Sequence, residues 1–366
     1  MTQPLPPKIP RTMSAMVTMG HGGLDQIVFH QDWPCPTPGP QDVLIEVRAC
    51  GLNNTDVNTR SGWYSKTVNS ATTGDALENV GQQDATWGGK PIQFPRIQGA
   101  DVCGIIVACG AEVDTARIGE RVITDNWLRD KDDPANKNKA GYFGSECDGG
   151  YANYTIINQQ NALAVNAELS DAELATFSCS YSTAEGMLTR ANVTDQDTIL
   201  VPGASGGVGG ALVQLAKLRG ARVIALASDA KHHAVADLGA DRILKRAPEN
   251  LAELLVDESI SVVADIVGGP NWLALIDCLD RGGRYVCSGA VAGPMVELDL
   301  RILYLRDLSF FGSTVIDPKI MPNLIGYIES GAIRPLLAAT YPLTELREAQ
   351  AAFISKKHSG NIVVQP

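Results

Sequence analysis

The sequence predicts an α/β fold in which a doubly wound parallel sheet is joined to a second, β-rich region. Two observations carry this prediction. Between residues 198 and 231 an apolar run, a glycine cluster, an amphipathic segment and a second apolar run follow one another, which is the order of a strand–turn–helix–strand unit. Beyond this unit, apolar runs keep alternating with helical segments as far as residue 315, as they do in a parallel sheet covered by helices.

The glycine cluster G-A-S-G-G-V-G at residues 203–209 predicts a turn that binds the pyrophosphate of a dinucleotide. Glycine lets the backbone bend at positive φ and lets phosphate oxygens approach the amides. The helix that begins near Gly207 points its free N–H groups and its positive dipole end at the same phosphate. An ordinary βα turn without a ligand is the alternative. The candidate cofactor-binding residues of this turn are Gly203, Ser205, Gly206, Gly207, Val208 and Gly209.

Length and composition limit the classes of function. A chain of 366 residues suffices for two domains, and 45% apolar with 19% charged residues is typical of a globular protein. No apolar run reaches about 18 residues, so no membrane span is expected. The N-terminus lacks the apolar centre of a secretion signal, and the eight scattered cysteines suit reduced thiols, so we expect a cytoplasmic protein. The net charge of −11 argues against nucleic acid or an anionic membrane as a partner.

The N-terminal part is predicted to consist mainly of strands separated by glycine and proline turns. The polar, glycine-rich residues 66–94 show no periodicity and are interpreted as a long insertion loop. A surface excursion or dimer contact is favoured for this loop, and a lid is the alternative. The expected strands of this part are 15–19, 26–29, 43–47, 102–108, 121–124 and one within 148–157.

The remaining residues complete the parallel sheet and then return to the composition of the N-terminal part. A helix over 170–191 is expected to begin at the N-cap Ser170, with Glu173 three residues on. We therefore predict a nucleotide-binding domain at 176–315, inserted into a β-rich domain made of 1–175 and 316–366. The expected strands are 199–201, 223–226, 242–244, 262–267, 283–288, 309–315 and 361–364, and the later helices are 231–238, 248–255, 272–279, 322–330 and 345–355.

Motifs along nearly the whole chain resemble those of the medium-chain dehydrogenase/reductase superfamily. They are G-A-D-V-C-G (99–104), D-G-G-Y-A-N-Y (148–154), G-A-S-G-G-V-G (203–209), L-G-A-D (238–241) and S-G-N-I-V-V (359–364). The resemblance implies a Rossmann dinucleotide-binding domain supported by a GroES-like catalytic domain, with the active cleft between them. It also implies a homodimer formed through residues 288–315.

The zinc-containing alcohol dehydrogenases of this superfamily hold their catalytic metal with a Cys, a His and a second Cys. The matching positions here are Asn53, Ala100 and Cys179, and one thiol is fewer than the three protein ligands that such a site needs. The family's four-cysteine structural zinc lobe should fall near residues 125–143, which contain no cysteine. The sequence therefore predicts no zinc at either site. An alcohol dehydrogenase with an atypical or lost zinc site, using Cys179 and Asp101, is the alternative.

The segment N-N-T-D-V-N-T-R-S-G-W-Y at residues 53–64 resembles the zinc-free quinone oxidoreductase and enoyl reductase branch. The resemblance implies that Asn53 and Tyr64 lie beside the nicotinamide, that Thr55 and Asp56 shape the cleft floor, and that Thr183 contacts the nicotinamide. Asn53, Tyr64, Asp56 and Thr55 are thus the candidate catalytic residues. A purely structural carboxylate stays open for Asp56, and a half-buried loop aromatic for Tyr64.

The cofactor predicted by the sequence is NADPH rather than NADH. NAD-preferring Rossmann proteins place an acidic residue at the end of the second strand, where it binds the ribose 2′-OH, and this position falls near Ala227. Ser228 and Lys231 follow, at positions that accompany a 2′-phosphate in zinc-free relatives, and a hydroxyl and an ammonium would bind that phosphate. Ser288 and Gly289 join Thr183 as further candidate cofactor-binding residues.

These residues predict hydride transfer from NADPH to a quinone or to an α,β-unsaturated carbonyl compound. A conjugated acceptor needs less help from a Lewis acid, because negative charge spreads onto its carbonyl oxygen as hydride arrives. Asn53 or Tyr64 could donate hydrogen bonds to the developing enolate, and Tyr64 or a water molecule could supply the proton. A nucleotide-binding protein without turnover is the alternative from a different class.

Overall fold

A computed structural model describes residues 9–75, 77, 80, 86 and 91–366 of the chain. The first part forms a three-stranded sheet in the order β2-β1-β4, and most of a larger, seven-stranded one. No helix among the described residues is long and apolar enough to cross a membrane. The elements of this part are β1 (Thr12–Thr18), β2 (Ile27–Pro34), β3 (Asp42–Gly51), α1 (Asn54–Ser61), β4 (Arg96–Ile97), β5 (Asp101–Cys109), β6 (Arg121–Thr124), β7 (Trp127–Leu128), β8 (Gly141–Tyr142), β9 (Tyr154–Asn158) and β10 (Ala162–Ala164).

The middle of the chain builds a six-stranded parallel sheet, and the predicted α/β class is confirmed. The strand order is β13-β12-β11-β14-β15-β16, so the direction of winding reverses between β11 and β14. Ligands of such sheets bind beyond the carboxyl ends of the strands at this reversal. The elements are α2 (Asp171–Leu174), α3 (Phe177–Arg190), β11 (Thr198–Pro202), α4 (Gly207–Leu218), β12 (Arg222–Ala227), α5 (His232–Ala236), β13 (Arg242–Lys245), α6 (Leu251–Leu254), β14 (Ile260–Asp265), α7 (Trp272–Asp277), β15 (Leu279–Cys287), α8 (Leu300–Leu305) and β16 (Ser309–Gly312).

The C-terminal part returns to the first sheet system. Its elements are α9 (Ile320–Glu329), β17 (Leu337–Pro342), α10 (Leu346–Ile354) and β18 (Asn361–Gln365). Strand β18 pairs antiparallel with β3, and β17 pairs with β18 at the edge of the seven-stranded sheet. Both ends of the chain therefore contribute to one sheet. The domain boundaries after residues 175 and 315 stay predictions.

Apolar residues cover both faces of the parallel sheet, because neighbouring side chains of a strand point to opposite faces. Ile199 and Val201 of β11 pack into a core with helices α3, α4 and α9. Leu200, between them, packs into a second core that contains Trp272 and Ile276 of α7. This two-sided burial explains why the strands of this part read as short continuous apolar runs in the sequence.

The structure contains strands β4, β10 and β17 and helix α8, which were not predicted, and it departs from the predicted elements in three further ways. Two helices, α2 and α3, replace the single helix expected over 170–191. The polar residues 54–61 form α1, which periodicity did not reveal because its buried side chains are mostly polar. Strands β7 and β8 pair across the charged stretch that follows residue 124. Of the predicted insertion loop, positions 76, 78, 79, 81–85 and 87–90 lie outside the described residues.

Candidate active site

The glycine-rich turn after β11 is close-packed and has no room for side chains at two positions. Gly203 adopts a positive φ of 69°. A Cβ atom at Gly209 would lie 2.1 Å from the carbonyl oxygen of Gly203, and one at Gly207 would lie 2.3 Å from Oδ1 of Asn361. Gly206 is the N-cap of α4, so the free amides of the helix start face outward from this turn. The arrangement fits a phosphate group at the helix N-terminus.

The C-terminal motif lies directly against this turn. The Gly360 N–H donates to the carbonyl oxygen of Ser205 at 2.7 Å, and Gly206 and Gly360 form an isolated parallel bridge. From α3, the Ser180 hydroxyl donates to Oδ1 of Asn361 at 3.3 Å. The structure thus brings the predicted turn, one helix and the chain end to one place.

Ser228 and Lys231 lie together after the end of β12, as the cofactor prediction requires. The Lys231 Nζ donates to the carbonyl oxygens of Lys356, at 2.8 Å, and of His358. Burial and, to a lesser extent, Arg246 lower the pKa of Lys231. The intervening Asp229 is largely exposed and faces His232 at 3.7 Å.

Ser288 and Gly289 follow β15 at the sheet reversal, next to an aspartate that sequence reasoning missed. The Ser288 hydroxyl donates to the carbonyl oxygen of Ser313 at 2.6 Å. Asp265, at the end of β14, is fully buried and accepts hydrogen bonds from the Val267 N–H at 2.7 Å and the Tyr285 hydroxyl at 2.9 Å. Burial raises the pKa of Asp265. The sequence pattern that could have identified Asp265 is an acidic residue at the end of a strand, followed by Gly268 and Gly269.

Asp56 lies on the inner side of α1, and its carboxylate is already occupied. It accepts hydrogen bonds from the N–H of Asn53 at 2.8 Å, the hydroxyl of Tyr151 at 2.9 Å and the N–H of Gly99 at 3.2 Å. Burial raises the pKa of Asp56 to about 6, and these hydrogen bonds oppose the shift. The geometry holds residues 53 and 99 together, which is what the structural interpretation of Asp56 expects.

The positions equated with the zinc ligands converge, but their side chains do not form a zinc site. Asn53 faces Asp101, and burial raises the pKa of Asp101 to about 7. Cys179 faces Tyr142 and Thr183, and burial raises the pKa of its thiol. Ala100 contributes no donor. Cys179 is thus the one usual zinc ligand among these three positions, whereas a zinc site needs about three protein ligands.

Asn126 joins the buried carboxyl group of Asp101 to the aromatic residue beside Cys179. Its Nδ2 donates to Asp101 Oδ1 at 2.8 Å and lies 3.3 Å from the Tyr142 hydroxyl. Its Oδ1 accepts a hydrogen bond from the Thr124 hydroxyl at 3.1 Å. The polar floor of the cleft is therefore a connected network, and neither Asn126 nor Tyr142 was predicted as a site residue.

Tyr64 lies at the mouth of this cleft and is half-buried. Its hydroxyl faces Thr55 and Asn58, which lower its pKa, but burial has the larger effect and raises it. Cys179 and Asp56 are close enough to raise this pKa further. Tyr64 and Asp56 therefore lie near Cys179, and Thr55 contacts the Tyr64 hydroxyl. A hydroxyl that keeps its proton at neutral pH is a hydrogen-bond donor.

The two loops that build the cleft walls meet at Thr72. Its N–H donates to the carbonyl oxygen of Val291 at 3.0 Å, and its hydroxyl donates to Oδ1 of Asn58 at 3.1 Å. The segment after α1 and the segment after β15 thus close one side of the cleft.

Comparison with protein families identifies both parts of the chain. Residues 39–167 match the family model of the alcohol dehydrogenase GroES-like domain. Residues 207–330 match that of the zinc-binding dehydrogenase. The two matches cover the β-rich part and the parallel-sheet part respectively.

Individual proteins align with the chain over nearly its full length. A crystal structure from Sinorhizobium meliloti 1021, provisionally described as an alcohol dehydrogenase, is 44% identical, covers 98% of each chain and superposes with a TM-score of 0.88. The NADPH-dependent alkenal/one oxidoreductase of Arabidopsis thaliana is 27% identical over 98% of this chain and 81% of its own. The quinone oxidoreductase of Lama guanicoe is 26% identical over 93% of both chains.

These relatives agree with the motifs and with the geometry of the turn and cleft. The protein therefore belongs to the medium-chain dehydrogenase/reductase superfamily and is an NAD(P)H-dependent oxidoreductase.

Proposed function

We propose that this protein uses NADPH to reduce a quinone, or the C=C bond of an α,β-unsaturated carbonyl compound, by hydride transfer without a catalytic zinc. The observation that carries the proposal is the chemistry of the cleft floor. Asn53 and Ala100 stand where a zinc enzyme has ligands, and the Tyr64 hydroxyl faces the same space. Hydrogen-bond donors in place of a metal suit an acceptor whose charge is delocalised.

The chain's own residues would bind and orient the cofactor and stabilise the negative charge that develops on the substrate oxygen. The dinucleotide, when bound, supplies the hydride. The turn at 203–209 holds its pyrophosphate, while Thr183, Ser288 and Gly289 line the side toward the nicotinamide. Asn53 and Tyr64 donate hydrogen bonds to the enolate oxygen, and Tyr64 or water returns the proton.

The preference for NADPH is supported by the end of β12. Ala227 stands at the position where an acid would bind a ribose hydroxyl, and Ser228 and Lys231 follow it. A hydroxyl and an ammonium bind a phosphate dianion, whereas a carboxylate would repel it. The relative from Arabidopsis thaliana is itself named as NADPH-dependent.

The direct test is an NADPH-oxidation assay with enals, enones and quinones, alongside primary and secondary alcohols with NADP⁺. Turnover of conjugated acceptors by protein free of zinc, with a preference for NADPH over NADH, is the expected result. Turnover of simple alcohols alone, together with stoichiometric zinc by elemental analysis, would contradict it. Tight binding of NADPH without turnover of any acceptor would favour a nucleotide-binding protein.

A second candidate is an alcohol dehydrogenase with an atypical or lost zinc site. It is favoured by the 44% identity to the protein from Sinorhizobium meliloti, and Asp101 and Cys179 would be its metal ligands. The alcohol arm of the same assay, run with and without added zinc, separates the two functions.

We also propose a cytoplasmic homodimer. All eight cysteines are free thiols, which suits a reducing compartment. Strand β16 is the edge of the parallel sheet, and large apolar side chains near it are exposed, among them Met295 at 67%, Leu300 at 64% and Tyr304 at 62%. A second copy meeting the first along this edge would cover them.

A further inference from the structure

Lys356 lies directly after α10 in a backbone conformation that few residues other than glycine adopt. Its φ is 54°, and its N–H donates to the carbonyl oxygen of Phe353 at 3.3 Å. The side chain runs back across the Phe353 ring, with Nζ 3.8 Å from the ring centre. The ammonium then donates to Oδ1 of Asn54 at 2.8 Å. The ammonium group of Lys356 therefore lies at the start of α1, next to the residue that follows Asn53.

A second cation, Lys231, lies beside this charge. Burial lowers the pKa of Lys356 to about 8, and Lys231 lowers it further. The pKa of Lys231 is in turn lowered by burial and by Arg246. Among the described residues, no carboxylate contributes to the pKa of either lysine. In a protein with a net charge of −11, two partly buried ammonium groups without a counter-charge leave a local site for an anion.

The two lysines are linked to the glycine-rich turn, which we propose to bind the pyrophosphate, through the end of the chain. The carbonyl oxygen of Lys356 accepts the hydrogen bond from Lys231 Nζ, which fixes one lysine against the other. Four residues later, Gly360 donates to Ser205 within the glycine-rich turn. The chain end therefore connects both lysines to the glycine-rich turn, Lys231 from the parallel-sheet side and Lys356 from the chain end itself.

We propose that Lys356 binds a phosphate group of the dinucleotide together with Lys231. The inference rests on the proposed use of a dinucleotide cofactor. Phosphate oxygens form charge-assisted hydrogen bonds with ammonium groups, and an ammonium held over an aromatic ring toward Asn54 keeps N–H groups for a ligand. The 2′-phosphate and the pyrophosphate share this chemistry, and the choice of nucleotide in the test separates them.

The test compares the dissociation constants of NADPH and NADH for the full-length wild type, K356M and K357M. Methionine keeps an apolar stem over Phe353 and removes the charge. Lys357 is the exposed neighbour, so K357M removes one positive charge at nearly the same place. We expect K356M to weaken NADPH binding about tenfold or more, as the loss of a charged hydrogen bond does, with K357M close to wild type. K356R, which keeps a cation, should restore much of the affinity.

Each outcome bears on the proposal. If K356M binds only NADPH more weakly, Lys356 contacts the 2′-phosphate. If it binds NADPH and NADH more weakly to the same extent, Lys356 contacts the pyrophosphate. Unchanged affinities in K356M would overturn it. A wild type that binds NADPH through Lys356 but reduces no conjugated acceptor would refute the proposed function and leave this inference standing.

A measurement on the wild type covers the case in which K356M does not fold. Lysines are reductively methylated with and without saturating NADPH, and the extent at each residue is read by mass spectrometry. NADPH should protect Lys356 and leave Lys357 unchanged. Equal labelling of Lys356 in both samples would contradict the proposal.

Discussion

At the scale of single residues, Tyr64 has the most specific proposed role, that of hydrogen-bond donor and candidate proton donor. Its hydroxyl faces Thr55 and Asn58, and burial raises its pKa above that of an ordinary tyrosine, which is already protonated at neutral pH. We expect Y64F to lower kcat with an enone about tenfold to a hundredfold while the dissociation constant of NADPH stays unchanged. Tyr154, on β9 and away from the cleft, provides the control Y154F. An unchanged kcat in Y64F would assign the proton to water.

The ammonium of Lys356 gives cofactor binding a dependence on pH. Its pKa is about 8, and an anion binds the protonated form, so affinity for NADPH should be full below this pKa and fall as the pH rises through it. The titratable neighbours are Lys231, whose pKa is also lowered, and His358, whose pKa is lowered to about 4 by burial and then by the two lysines. His358 is therefore neutral throughout this range.

Binding of NADPH measured between about pH 7 and pH 10 checks this dependence. The wild type should lose affinity in this range, and K356M should show a weaker dependence from a lower starting affinity. Equal pH dependence in both proteins would mean that another group is responsible.

At the scale of elements, α1 is fixed to the rest of the protein by Arg60, which is fully buried. Its guanidinium donates to the carbonyl oxygens of Gly22 at 2.5 Å and Gly74 at 3.2 Å, and to Oε1 of Gln350 at 3.1 Å. R60A would leave these buried acceptors without a donor, so we expect a loss of about 3 kcal/mol or more in the free energy of unfolding.

Chemical denaturation of R60A and of R48A checks this expectation. Arg48 forms an exposed ion pair with Glu46 at 2.9 Å, and its loss should cost less than about 1 kcal/mol. Similar stabilities for the two variants would mean that the segment after α1 readjusts to supply other donors.

The start of α4 depends on the absence of a side chain at Gly209. A Cβ there would lie 2.1 Å from a backbone oxygen, so G209A must open the turn and weaken NADPH binding by more than about tenfold. Gly326, in the exposed part of α9, meets no atom within 4 Å, and G326A should instead stabilise the protein by about 0.5 to 1 kcal/mol. Titration with NADPH and thermal melting of both variants test this contrast.

Elements whose partners are near in sequence could be predicted, and elements whose partners are distant could not. The parallel sheet was predictable because apolar runs, glycine turns and helices alternate locally. Helix α1 was not, because its buried residues are polar and their partners lie far away in sequence: Arg60 binds Gln350, which is 290 residues away. The link from Asp101 through Asn126 to Tyr142 joins β5, the turn between β6 and β7, and β8, and only the fold shows that they meet.

The same applies to the candidate site. The glycine turn and the residues at 53–64 were predictable as motifs, since their spacing is local. The position of Lys356 was not, because its ammonium reaches Asn54 across 302 residues and no motif contains both. The direction of its side chain depends on a positive φ that the sequence does not indicate at a lysine.

At the scale of the whole molecule, we expect the edge of the parallel sheet to form the interface between two copies. Strand β16 has a single partner, β15, in the described sheet, and Leu300 and Tyr304 of α8 are exposed beside it. An unpaired edge next to exposed apolar side chains favours pairing with a second copy, because both the backbone groups and the apolar area are then removed from water. We therefore expect a particle of twice the 38.9 kDa chain mass in solution.

Light scattering coupled to size-exclusion chromatography measures this mass directly. A charge in the interface should separate the subunits, so L300E is expected to elute with the mass of a single chain at low micromolar concentration. Val256 is 77% exposed and lies in the loop after α6, and V256E adds the same charge away from this edge and should remain a dimer. A monomeric wild type, or a dimer that L300E leaves intact, would mean that this edge is not the interface and that α8 is covered in another way.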